Sequence, residues 1–88
     1  MDEELQVYVG EGCASCRRTL AALRECEGLH EVVRVVVYDV AEHPLPANCP
    51  GIPAIVLRGS LLAMGTPDCA HLLAAVRRVL ESEGVDSK

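Results

Sequence analysis

The sequence predicts an α/β domain with a four-stranded mixed sheet in the order βαβ, loop, ββα. Three observations predict it. An alternating apolar segment opens the chain, a helix-period stripe separates it from a nearly continuous β-branched run, and a proline-dense stretch leads to two further apolar strands and a second helical stripe. The 88 residues suffice for one domain, residues 1–88, with its core at about 5–83.

Leu5, Val7 and Val9 alternate with Gln6 and Tyr8, the period of a strand with two unlike faces. Gly10, Glu11 and Gly12 interrupt it. From Cys13 the spacing turns helical: Cys16, Thr19, Leu20, Leu23 and Cys26 share one stripe, Arg17, Arg18, Arg24 and Glu25 face away, and Gly28 ends the helix. Val32 to Val40 is β-branched almost throughout, as expected for a parallel strand covered on both faces. Pro44, Pro46 and Pro50 keep Ala41 to Gly51 from forming a regular helix. Pro53 to Arg58 reads as a third strand, with Gly59 and Ser60 as a two-residue turn into Leu61, Leu62, Ala63 and Met64. Thr66 is a helix cap with Pro67 in the first helical position. The last helix runs to about Glu83, buries Cys69, Leu72, Leu73, Val76, Val79 and Leu80, and meets Gly84 as its C-terminal cap.

Composition excludes several functions. The only aromatic residues are Tyr8 and Tyr38, so the core is aliphatic and no platform for stacking bases or sugars is expected. Eight basic against thirteen acidic residues give a net charge of −5, and the basic footprint of a nucleic-acid or anionic-membrane surface is missing. No apolar run reaches the ~18 residues of a membrane span. The start, Met1-Asp2-Glu3-Glu4, lacks the basic and apolar regions of an export signal and reads as a frayed, solvating terminus. The expected setting is the cytoplasm. Five cysteines there are poorly explained by a disulfide framework, which leaves catalysis, metal binding or packing.

Cys13-Ala14-Ser15-Cys16 lies between a strand and the first turn of a helix, the context in which Cys-x-x-Cys carries redox chemistry. Unpaired N–H groups at a helix start favour a thiolate, which makes Cys13 the attacking sulfur. Cys16 starts the buried stripe, stays protonated, and is placed to resolve a mixed disulfide. Arg17 and Arg18 add positive charge. Cys26 and Cys69, on buried stripes, are expected to pack as small hydrophobes. His30, His43 and His71 are expected to be solvated.

These residues make the chain resemble the thioredoxin-fold superfamily, in particular its short glutaredoxin-like members, over about Leu5 to Leu80. The second marker is Gly51-Ile52-Pro53-Ala54, with Pro53 lying 37 residues after Cys16. The resemblance implies that Pro53 is a cis proline opening the third strand beside the dithiol, and that Ile52 offers backbone to an extended substrate. Gly12, Arg17, Ile52 and Pro53 are then the substrate-binding positions. It further implies a glutathione clamp at the start of the last helix, where Gly65 and Asp68 match the pattern, Thr66 and Pro67 depart from it, and glutathione becomes a candidate co-substrate. Gly12 and Ala14-Ser15 stand where thioredoxins carry an aromatic residue and Gly-Pro. The family's second helix falls on Ala41–Gly51 and is degenerate or missing here. The sheet face of Val33, Val35 and Val37 is therefore thinly covered, leaving a monomer or a weak homodimer through that face.

The expected function is thiol–disulfide exchange with a disulfide-bearing protein or small thiol, recharged by an unidentified reductase and using no prosthetic group. Cys49, four residues before Pro53, is a candidate accessory thiol. The rival reading is a carrier for a soft ion, Cu(I) or zinc, on the two thiolates of Cys13 and Cys16, with or without Cys49 as a third ligand. A structural zinc site lacks its four ligands, because Cys49, His43 and His30 follow at no recognised spacing.

Overall fold

The computed structural model describes residues 3–85. Strand β1 (Glu4–Val9) leads into α1 (Ala14–Glu25), a one-turn α2 (Leu29–Val32) and β2 (Arg34–Asp39). A loop then reaches β3 (Ala54–Leu57), β4 (Ser60–Met64) and α3 (Cys69–Val85). The sheet order is β2-β1-β3-β4, with β1 and β2 parallel and both other pairings antiparallel. A helical crossover returns β2 beside β1 in parallel, and a tight hairpin makes β3 and β4 antiparallel. The predicted α/β architecture is therefore present.

Register assigns each residue to a face. Leu5, Val7, Ile55 and Leu57 point to the helices and form the main core with Leu23, Leu29, Leu72 and Val76, each at most 2% exposed. Tyr8, Ala54 and Val56 point the other way and form a second cluster with Cys49. Its partly buried cover, Val40, Leu45 and Ile52, comes from the segment joining β2 to β3, which contains no helix. The segment between β2 and β3 thus forms no helix, as expected from its three prolines. The face was misassigned, however. Val33 and Val35 pack into the helix-side core, and the loop-covered face carries Val36 and Tyr38, because the parallel register pairs Val35 with Leu5 and Tyr38 with Tyr8.

Further boundaries differ from expectation. Val32 belongs to α2 and β2 begins at Arg34; as an edge strand it is partly exposed, with Val37 at 49%, rather than covered on both faces. Helix α1 ends at Glu25, before Gly28. Leu57 pairs directly with Ser60, so the hairpin turn is Arg58-Gly59, both at positive φ (52° and 81°), as a type I′ turn requires. Arg58 tolerates that conformation while its guanidinium pairs with the Glu3 carboxylate. Leu62 is the extra residue of a bulge, since Ile55 pairs with Ala63 and Val56 with Leu61. Asp68, not Thr66, precedes α3 as its cap: its carboxylate accepts the His71 N–H at 3.3 Å and its carbonyl the Leu72 N–H at 2.9 Å. Pro67 therefore lies outside the helix, and α3 continues through Gly84 to Val85. Glu3 and Glu4 are ordered by Arg58, Arg34 and Tyr38, so the acidic terminus is not frayed there; Asp2 lies outside the described residues.

The largest correction concerns Cys26 and Cys69, which form a disulfide. Cys26 caps the end of α1 and Cys69 begins α3, so the two stripes expected to pack as hydrophobes meet at their sulfurs. Persistent disulfides are typical of oxidising compartments, with heat-adapted cytosols an exception. The reading of all five cysteines as uncrosslinked follows from the expected cytoplasmic setting, and the disulfide overturns that reading. Among the described residues no helix is long and apolar enough to cross a membrane.

Joining residues 43 apart in sequence removes loop entropy from the unfolded chain worth about 4 kcal/mol. In a Cys13→Ser/Cys16→Ser background, urea unfolding with and without a strong reductant is expected to differ by about 3–4 kcal/mol. Equal midpoints would show that no covalent link joins α1 to α3.

Candidate functional site

The first turn of an α-helix presents N–H groups that have no carbonyl partner. In α1 one of them is taken by sulfur: Cys13 sits in extended conformation (φ −95°, ψ 108°) at the cap, and its Sγ accepts the Cys16 N–H at 3.1 Å. Gly12, at φ 74°, reverses the chain into that cap, a conformation side chains with Cβ rarely adopt. Cys13 is partly exposed, whereas Cys16 is 2% exposed.

The two thiols are held apart in acidity. Cys13 lies below the ordinary cysteine value chiefly because the Cys16 S–H donates to its sulfur. Partial burial opposes this, while the Cys16 and Ser15 N–H groups and the Arg17 guanidinium add to it. Cys16 lies above the ordinary value, first because burial disfavours its thiolate and then because its proton is engaged by Cys13. A backbone N–H from Gly10 pulls the other way. Arg17 thus acts by charge from an exposed helix face, and its N–H also donates to the Cys13 carbonyl at 3.3 Å. Arg18 is turned to Ser15, 3.2 Å from its hydroxyl.

The other predicted positions converge on this end of α1 by a chain of contacts. Ile52 packs on Gly10: a Cβ added there would lie 2.6 Å from Ile52 Cδ1, so the glycine makes room for that side chain beside the backbone group facing Cys16. The Ile52–Pro53 peptide bond is cis, as the resemblance implies. The Pro53 carbonyl accepts the Gly65 N–H at 3.1 Å, and Thr66 Oγ1 lies 3.3 Å from Thr19 Oγ1, one turn along α1 from Cys16. Thr19 is fully buried, and Thr66 shares a hydrogen bond with it. Gly65 and Thr66 are therefore fixed near the dithiol helix, whereas the Asp68 carboxylate is engaged by the His71 N–H and, at 3.4 Å, by the His71 ring. Gly10 and Thr19 escape sequence reasoning, whereas Thr66 is a candidate at the start of the last helix, though not as the partner of Thr19. Gly10 looks like a strand terminator, and Thr19 like one more position of an apolar stripe; its hydroxyl was the available signal.

Cys49 is not gathered with them. Its thiol is 6% exposed in the cluster on the sheet face opposite α1, burial raises its pKa, and it faces Asn48 Oδ1 at 3.8 Å. Among the described residues no three His, Cys, Asp or Glu side chains are grouped to hold a metal ion, so the three-thiolate site with Cys49 is not formed. His30, expected in solvent, has Nε2 3.2 Å from the Leu23 carbonyl at the end of α1, and His43 packs edge-on against Tyr38.

No protein-family model and no curated protein matches the chain.

Because the Cys16 thiol is the leading cause of the depressed acidity of Cys13, Cys16→Ala is expected to move the alkylation midpoint of Cys13 to higher pH, with Cys16→Ser, which keeps an O–H donor, moving it less. Cys49 in the same samples should react only at higher pH and slowly. The measurement is the iodoacetamide rate at each cysteine by mass mapping across pH 5–10, roughly the thiol range. An unchanged Cys13 profile in Cys16→Ala would remove the assigned cause.

Proposed function

We propose that this chain is a thiol–disulfide oxidoreductase of the thioredoxin-like, glutaredoxin-like kind, acting on a disulfide-bearing protein or small thiol. The observation that carries this reading is the Cys13 sulfur at the cap of α1, taking the Cys16 N–H at 3.1 Å with the less acidic, buried Cys16 next to it. The strand order, the cis bond before Pro53 and the position of Ile52 support it.

In the reductive direction the Cys13 thiolate attacks one substrate sulfur, a Cys13–substrate bond forms, and the second substrate sulfur leaves as a thiolate that takes up a proton. Cys16 then loses its proton and attacks Cys13 Sγ, breaking the Cys13–substrate bond and expelling the first substrate sulfur as a thiolate that is protonated in turn. Two electrons have passed to the substrate, and the chain holds a Cys13–Cys16 disulfide. An external thiol reductase or glutathione reverses these steps. The asymmetry of acidity fits this order, since the exposed sulfur is the better nucleophile at neutral pH and the buried one acts only when a mixed disulfide is within reach. Backbone at Ile52 is the surface proposed to align an extended substrate, and Gly65 with Thr66 the one proposed for glutathione. Asp68 is already engaged as a cap.

Differential alkylation of metal-free protein across a graded glutathione redox buffer, mapped by mass to each cysteine, tests the proposal. A reversible Cys13–Cys16 couple is expected, with Cys49 unchanged and Cys26–Cys69 still bonded. Cys16→Ser should accumulate a stable mixed disulfide on Cys13. A pair that remains reduced throughout, or arrives blocked by stoichiometric zinc or copper, would overturn the reading in favour of soft-metal carriage.

A further inference from the structure

Among the described residues strand β2 has one neighbouring strand, β1, and its other edge pairs with none. The Arg34 N–H donates to the Glu3 carbonyl at 2.8 Å and the Val40 N–H to the Val9 carbonyl at 3.0 Å, which turns the backbone groups of the even-numbered residues toward β1. Strand alternation then points the N–H and C=O of Val35 and Val37 outward. The next outward carbonyl, that of Asp39, already accepts the N–H groups of Glu42 and His43. Beside this edge, on the helix side, a groove of about 200 Å³ is lined by Leu20, Leu23, Arg24, His30, Val35 and Val37. Arg24 forms no ion pair with any described residue.

We propose that this edge and groove are the docking surface for a second copy of the chain, with the two β2 strands antiparallel about a two-fold axis at Val36. A two-fold axis perpendicular to the sheet keeps each face on its own side, so Val36 meets the partner's Val36 and Val35 meets the partner's Val37. Val35 and Val37 each exchange two backbone hydrogen bonds with their opposites, using the outward groups left open by β1. The partner's Val37 enters the groove beside Val35. Two residues on, the partner's Asp39 comes opposite Val33, at the end of β2 nearest Arg24 in the last turn of α1 and His30 just ahead of the strand. The Asp39 side chain holds only the Ala41 N–H, at 2.9 Å through one oxygen, so the carboxylate retains lone pairs for a guanidinium. The groove asks for an apolar side chain followed two residues later by an acid, and Val37-Tyr38-Asp39 supplies both. This charge match, made twice by symmetry, favours a second copy over an unrelated strand. The dithiols, at the opposite end of α1, point away from each other and remain accessible, so this pairing stands or falls independently of the thiol chemistry.

One strand edge and one groove make a small interface, below about 1,200 Å² and hence weak. Sedimentation velocity and amide exchange by NMR on the full chain, from about 10 μM to 1 mM, test the proposal. The mass should rise toward that of a dimer while the Val35 and Val37 amides become protected and those of Val36 and Tyr38, already bonded to β1, stay as they were. Arg24→Glu should weaken association about tenfold, Asp39→Lys likewise, and the doubly reversed protein should regain it. A monomer at every concentration overturns the proposal, as do association without protection at Val35 and Val37, a mass rise carried by an intermolecular disulfide, and failure of the double reversal in a protein that keeps its folded spectrum.

Discussion

A helix that starts just beyond the end of a strand must find acceptors for its first N–H groups, and here one acceptor is a cysteine sulfur. The 3.1 Å contact from the Cys16 N–H to Cys13 Sγ settles where α1 begins, which sulfur faces solvent and which is buried. Had serine or aspartate capped this helix, the turn would be equally well satisfied and chemically inert. Capping with sulfur links the turn to the acidity of the thiol: the Cys16 thiol is the leading cause of that acidity, and the N–H groups of Cys16 and Ser15 in the same turn add to it. The donors that order the backbone also stabilise the thiolate, so loosening the first turn weakens the nucleophile.

Contacts at three heights tie α1 to its neighbours. At its N-terminal end Gly10, Ile52, Pro53 and Gly65 form a continuous path of contacts from the Cys16 sulfur to the end of β4. In the middle, Thr19 and Thr66 tie the helix to the segment before α3, and at its C-terminal end the Cys26–Cys69 disulfide does so covalently. The helix is therefore held to one neighbour at two heights. The opposite sheet face needs no helix because Tyr8, Ala54 and Val56 are covered by a loop whose buried members are few.

Most of the architecture is legible in the sequence because it depends on periodicity. Leu5 and Val7, Leu23, Leu72 and Val76 announce their faces by spacing, and all are buried; Ile55 and Leu57 lie in an unbroken apolar run that is buried on both faces. The dithiol is legible for a similar reason, since a cap position and a buried stripe three residues apart distinguish its two sulfurs. What escapes is long-range. Cys26 and Cys69 sit on stripes where a thiol and a small hydrophobe look alike, and only the packing of α1 against α3 brings their sulfurs together. The face assignment of Val33 and Val35 fails because a nearly uniform run of valines carries no alternation, so its register is set by β1 rather than by itself. The turn at Arg58 is obscured because positive φ is unusual for arginine; the direct pairing of Leu57 with Ser60 sets it, and the Arg58 side chain pairs with Glu3.

The disulfide between α1 and α3 also changes how the chain's sulfur can be counted. Of five cysteines, three are free in this structure, and one of them, Cys49, lies on the far side of the sheet from the dithiol. Any bond formed within the chain by Cys13 and Cys16 removes two thiols together. A titration after unfolding without reductant therefore yields an odd number in every intramolecular state: three, one, or five if the structural bond has been lost. An even number means that an odd number of sulfurs, one in the simplest case, has reacted with something outside the chain. Parity alone thus separates internal cycling from a captured partner, before any cysteine has been mapped.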